Sequence, residues 1–113
     1  MQLPNAHRAV VDESKVRDYL LSIEHPIGRF KAAFFRALGY SAVNWVVLQH
    51  DLLAHGRTGE ATPDAPSAHG QKFRVRAMLQ GPEGRSAPVG SVWILRTGDD
   101  APRFVTAFPG GAR

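Results

Sequence analysis

In the stretch EHPIGRFKAAFFRALGY, residues 24–40, Ile27, Phe30, Phe34 and Leu38 recur at helical spacing, and Lys31 stands among them. At roughly 100° per residue Lys31 falls about 40° from Ile27, within the apolar arc, while Arg29 and Arg36 fall on the opposite side. Such an ammonium either lays its stem along the core edge and keeps its head in water, or points into a cleft as a ligand for an anion. His25 immediately precedes this helix. Beside Pro26 it is a turn residue or an acid/base group, and the residues alone leave both open. Further along, Lys72, Arg74 and Arg76 alternate with apolar residues, and Arg103 opens the last apolar run. Cations on one face of a strand make either a solvated outer surface or a platform for a phosphate backbone, with Trp93 near its centre. Thr106 is a strand former whose hydroxyl, in a cleft, could bind a phosphate oxygen.

Other chemistries find little support. His50 and His55 are five residues apart on one predicted helix, about 140° away from each other, and cannot hold one metal from one face. Asp51 and His55 have workable spacing but no third ligand in view. His7 and His69 fall in presumed loops. HExxH, GxxxxGK[ST], GxSxG and a GxGxxG after a strand are all missing. With no cysteine, disulfides and thiolate metal sites are excluded, and the cytoplasm is the expected compartment. No apolar run reaches membrane-spanning length, so no membrane partner is expected.

The elements that must position these groups follow from period and punctuation. The 113 residues suit one domain with its own core. Asp12 is a candidate N-cap for a first helix over about 13–22, with Val16, Tyr19, Leu20 and Ile23 on one face. Pro26 fits the first turn of a second helix, 26–38; Gly39 is placed to end it, with Tyr40 packing back. Ser41 precedes a third helix, 42–55, with a Trp45, Leu48, Leu52, Leu53 stripe, ended by Gly56. A polar loop fills 57–70. The period then changes to two, which predicts strands over 71–80, 86–96 and 102–108, with turns at GPEG and TGDDAP. The expected fold class is therefore α+β, with three N-terminal helices packed on a C-terminal antiparallel meander of at least three strands. Its core should join Phe34, Leu38, Trp45, Leu48, Leu52, Val75 and Ile94.

The formal net charge of +4 is uneven: residues 1–60 carry seven Lys/Arg against six Asp/Glu, and residues 71–113 carry seven against three. The basic last third suits an anionic partner such as RNA, DNA or an acidic protein, or is a soluble surface.

The elements LPNAHRAVVD, LLSIEHPIGRFKAAFFRALGY, LQGPEGR, VWIL and GDDAPRFVTAFP, in this order, resemble a bacterial domain-of-unknown-function family over residues 3–109, with HPxGxxKAxFF the most specific part. More distantly, helices followed by an antiparallel sheet that closes on Thr106-Ala107-Phe108-Pro109 resemble the barnase–EndoU–colicin–RelE group of RNase toxins. In that group the closing motif is Thr-Ala-Tyr-Pro-like, and Phe108 here lacks the hydroxyl. The resemblance implies a metal-independent endoribonuclease with no cofactor, RNA as substrate, and a small antitoxin or immunity-type protein as partner. On it, His25 is the acid/base, Lys31 and Arg85 stabilise the phosphorane, and Thr106 orients the phosphate. The alternative is the same fold without catalysis, a module that holds a protein or nucleic acid through its sheet. In the first case His25, Lys31, Thr106 and an arginine must converge on one polar cleft. In the second they scatter.

Overall fold

The computed structural model describes residues 1–110, and of Phe30 only its place in a helix. Gly111, expected among the closing residues, lies outside the described residues. After a 3₁₀ turn at Ala6–Arg8, a helical stretch begins as α1, Glu13–Lys15, and widens into a π-helical turn, Val16–Leu20. Then come α2, Arg29–Ala37, and α3, Trp45–Thr58. Four strands follow: β1, Glu60–Pro63; β2, Gly70–Gln80; β3, Ser86–Arg96; and β4, Arg103–Pro109. They form one antiparallel sheet in the order β1-β2-β3-β4. The expected α+β class with helices N-terminal to a meander is the observed one.

Local chemistry explains the helix ends. Gly39 has φ of 104°, a conformation glycine adopts without strain. The Tyr40 N–H donates to the Phe35 carbonyl at 3.2 Å and the Gly39 N–H to the Arg36 carbonyl at 2.9 Å, so α2 closes in a Schellman motif with Tyr40 buried. Ser41 and Asn44 cap each other before α3. The Ser41 N–H donates to Asn44 Oδ1 at 2.7 Å, and the Asn44 N–H donates to Ser41 Oγ at 3.3 Å.

Three expectations need correction. Gly56 does not end α3. The helix runs two residues beyond it, and the Trp93 ring lies on Gly56, where an added Cβ would come within 2.3 Å of the indole. The glycine is a packing contact, not a stop. The segment expected as loop contains β1, which pairs Ala61 with Val75 and Thr62 with Arg74; its run of alternating small residues carries too weak a hydropathy signal to read as a strand. Trp93 does not stand on the basic face. It pairs with Phe73 across β2 and β3, on the side covered by α3, and is fully buried, whereas Lys72 pairs with Ile94 on the other side.

The core lies between α3 and this inner face: Leu48, Leu52, Phe73, Val75, Leu79, Val89 and Trp93, joined by Val16, Leu20, Leu21 and Phe35. Of the expected core, Leu38, Leu48, Leu52 and Val75 are buried, Phe34 and Trp45 pack partly against it, and Ile94 is half-exposed because its register turns it outward.

One buried polar chain crosses this core. Trp93 Nε1–H donates to Ser91 Oγ at 2.8 Å, and Ser91 Oγ lies 2.9 Å from His55 Nδ1. His55 Nε2 faces the Val89 carbonyl at 3.0 Å and the Ala77 carbonyl at 3.2 Å. Two carbonyls can only accept, so Nε2 carries the hydrogen and Nδ1 accepts from serine, which makes the histidine neutral and fully satisfied. Burial pushes its pKa below the ordinary value near 6.5, although the two carbonyl bonds act the other way. A base whose folded pKa is depressed binds more protons when unfolded, so stability is fully present above about pH 6.5 and falls as the pH drops below it. Wild type should lose stability on acidification more steeply than His55→Gln, by up to about 1.4 kcal/mol per pH unit for one proton. Urea denaturation at pH 7.5, 6.5 and 5.5 measures the difference; parallel losses would mean that His55 titrates normally.

Candidate functional site

The π-helical turn brings Tyr19 toward α2 and β4. Wide turns of this kind hold extra backbone width and often present a side chain at a functional site. α2 can approach because Gly28 lies directly against this turn: an added Cβ there would be 1.9 Å from the Tyr19 carbonyl oxygen. Ala32, one turn on, is buried as well. These two small residues set the seat from which Lys31 reaches the edge strand.

Lys31 Nζ donates to Thr106 Oγ1 at 2.7 Å and to Tyr19 Oη at 3.1 Å. Tyr19 Oη and Thr106 Oγ1 are themselves 3.2 Å apart. The three side chains, from three separate elements, form a closed triangle of hydrogen bonds. All three are half-buried. Thr106 pairs with Val92, on the open side of the sheet, and a bulge between Val92 and Trp93 in the β3–β4 ladder adjusts β4 at this point. The lysine in the apolar stripe thus neither floats in solvent nor sits in the core; a hydroxyl pair at the sheet edge holds it.

Tyr19 carries the electrostatic signature of the site. Burial opposes ionisation of its phenol, but hydrogen bonds with Thr106 and Lys31 and the positive charges of Lys31 and Lys15 outweigh that, and its pKa is lowered from the ordinary value of 10. Lys15 Nζ lies 6.0 Å from the Tyr19 ring centre and Lys31 Nζ 5.4 Å from it. Tyr19 looked like one more apolar position of the first helix. The available signal was its hydroxyl, which needs a partner when its ring is packed.

His25 meets the same tyrosine edge to face, with ring centres 5.0 Å apart. Its Nδ1 accepts the backbone N–H groups of Ile27, at 3.1 Å, and Gly28, at 3.0 Å. The ring therefore caps the free amides before α2, and its hydrogen sits on Nε2. Arg85 is placed elsewhere. Its Nη1 donates to the Ala37 carbonyl at 2.9 Å, six residues and about 9 Å along α2 from Lys31. The structure brings together Lys31 and Thr106, adds Tyr19, sets His25 against Tyr19, and holds Arg85 at the other end of the helix. Phe108 lies over Gly90, where an added Cβ would be 2.4 Å from its ring.

Beside the triangle runs a groove of about 470 Å³, lined by Lys15, Lys72, Arg96 and Arg103 over Ile94 and Val105. Of the four cations expected on the sheet, it takes Lys72 and Arg103. Arg74 is paired with Asp64 at 3.1 Å, and Arg76 stands opposite Glu60 in the β1–β2 ladder. Among the described residues no group of three His, Asp or Glu side chains could hold a metal ion, and no helix is long and apolar enough to cross a membrane.

No curated protein matches the chain. Among solved structures, it is similar to a chain of a contact-dependent growth inhibition toxin–immunity protein complex from Klebsiella pneumoniae 342, with TM-score 0.66 and 16% identity over 94% of this chain and 97% of that one. At this identity the likeness is one of fold. With residues 2–111 matching its family, the chain belongs to the family described as Domain of unknown function (DUF6883).

Proposed function

We propose that this protein is a metal-independent ribonuclease that acts as a growth-inhibiting toxin domain on cytoplasmic RNA and is neutralised by an immunity-type protein. The observation that carries the reading is the Tyr19–Lys31–Thr106 triangle, with a cationic groove next to it whose lining includes Lys15, the lysine over the Tyr19 ring. A toxin–immunity complex that shares the fold supports the biological setting.

RNA carries its own nucleophile. The 2′-oxygen attacks the adjacent phosphorus, the P–O2′ bond forms, and the P–O5′ bond breaks, leaving a 2′,3′-cyclic phosphate and a 5′-hydroxyl. The protein must remove one proton, return one, and stabilise the extra negative charge in between. Tyr19 in its ionised form takes the 2′-hydroxyl proton. Lys31 stabilises the phosphorane and gives a proton to the departing 5′-oxygen. The 3.1 Å bond between them then returns the tyrosine proton to the lysine amine, and the pair is reset. Thr106 orients the phosphate from the other side of Lys31. His25, with Nδ1 committed to the backbone, presents Nε2–H as a donor and positions Tyr19; Arg85 supports the end of α2 and serves the site only indirectly.

A second reading, a non-catalytic module that holds a protein partner, draws on Val43, Val46 and Val47, which stand exposed together at the start of α3. Incubating the purified protein with total RNA in excess EDTA separates the two. The ribonuclease reading expects fragments ending in 2′,3′-cyclic phosphate, at a rate that rises with pH as Tyr19 ionises. Intact RNA, or cleavage that the chelator stops, would overturn it, and intact RNA would leave the binding module.

A further inference from the structure

We infer that the groove beside the triangle is the track for single-stranded RNA, in which Lys15, Lys72, Arg96 and Arg103 hold the sugar-phosphate backbone and deliver one phosphodiester to Lys31. The inference rests on the ribonuclease reading and adds the form of the substrate and the residues that hold it.

The register builds the track. Lys72 on β2 and Arg103 on β4 both pair with Ile94 on β3, so they flank one apolar side chain in a single cross-strand row. Adjacent strands are about 4.8 Å apart, which places the two cations' backbones about 10 Å from each other with Ile94 as the floor between them. Arg96 extends the row toward the strand end, opposite Gly70. Among the described residues Lys15, Lys72 and Arg96 make no ion pair; Arg103 shares Asp99 at 3.3 Å. Asp12 is the one carboxylate in the lining. The potential inside is therefore positive, and the charge is available.

The track also has a direction. Lys15 lies in the groove lining and over the Tyr19 ring. Thr106, which holds Lys31, stands opposite Val92, on the same face of the sheet as the groove floor Ile94 and two residues along β3 from it. A backbone lying on Lys72 and Arg103 thus runs toward the triangle. The groove's volume is in the range of small-molecule sites, room for a nucleotide or two of a single strand and too little for a duplex. Phe104 in the lining is buried, and the one exposed ring there is the imidazole of His69, so the groove offers little surface for stacking. Recognition here is of phosphate, tolerant of sequence and sensitive to salt.

The test uses wild-type protein and a fluorescein-labelled, 2′-O-methylated RNA ten-mer, which lacks the nucleophile and cannot be cut. Anisotropy titrations at several salt concentrations compare two double variants with equal charge change. Lys72→Gln/Arg96→Gln should weaken binding at least tenfold and reduce the slope of log K against log salt by about 1.4, two phosphate contacts at about 0.7 each. Arg74→Gln/Arg76→Gln, outside the groove, should change affinity less than threefold. Equal weakening by both pairs would show a diffuse charge effect, and equal affinity for a duplex of the same length would rule out a single-strand track; either result overturns the inference. Preference for a polyglutamate peptide over the RNA overturns it in favour of an acidic protein. Groove-specific binding of RNA by a protein that leaves unmodified RNA intact would sustain the track and refute the ribonuclease.

Discussion

Lys31→Met should lower RNA cleavage by about a hundred- to a thousandfold while leaving the fold in place. The loss follows from removing the one cation inside the triangle, which the phosphorane needs most at its transition state. The fold survives for a structural reason. When Lys31 goes, Tyr19 Oη and Thr106 Oγ1 are still 3.2 Å apart and satisfy each other, so no buried polar group is orphaned. A methionine fills the space of the lysine stem beside the buried Ala32 and Phe35. Unfolding free energy should change by less than about 1 kcal/mol, since the exchange conserves volume. A pH profile sharpens the test. Without Lys31 the Tyr19 phenol loses a hydrogen-bond donor and a positive neighbour, both of which hold its pKa down, so residual activity should shift to higher pH. Thermal melts, initial rates and the profile are measured on wild type and the single variant. Full activity in a well-folded Lys31→Met protein would take the central residue out of the site.

Phe35→Ala should cost about 3–5 kcal/mol, and Phe34→Ala about 1–2 kcal/mol. The two residues are adjacent and chemically identical, and their rings meet edge to face at 5.1 Å. They differ in which way α2 faces. Phe35 is fully buried among the core residues, while Phe34 packs on the rim with part of its ring in water. Truncating Phe35 leaves a cavity that the surrounding helices and sheet cannot fill; truncating Phe34 leaves a notch that water fills. Chemical denaturation of both variants reads the difference directly. Equal losses would mean that α2 is rotated relative to the orientation described here.

How the hydrophobic pattern misjudged this helix is instructive. It weighed Ile27, Phe30, Phe34 and Leu38, yet Ile27 is 63% exposed and the face turned to the protein includes Gly28, Ala32, Phe35 and Leu38. Glycine and alanine add little to a hydropathy stripe, but their small size lets α2 come down on the Tyr19 backbone. Close approach is a property of two surfaces, and periodicity in one segment describes only one of them.

Local interactions made the elements legible. The change of period from 3.6 to 2, the αL glycine at the end of α2 and the glycine turns act within a few residues, so the α+β class and strands β2, β3 and β4 could be read from the chain, whereas α3, expected from residue 42, begins at Trp45. Lys31 and Thr106 were identifiable as candidates because a cation in an apolar stripe and a hydroxyl in a closing strand are chemically conspicuous. Their meeting was not legible, because 75 residues separate them and only the seating of α2 against the β4 edge brings Nζ to 2.7 Å from Oγ1. Tyr19 joined them because a π-helical turn, invisible to a 3.6-residue period, set its hydroxyl beside both. The places of Arg85 and Trp93 were not legible for the same reason. A side chain's type is written in the sequence, but its partners are chosen by register and packing, which placed one at the far end of a helix and the other on the inner face of the sheet.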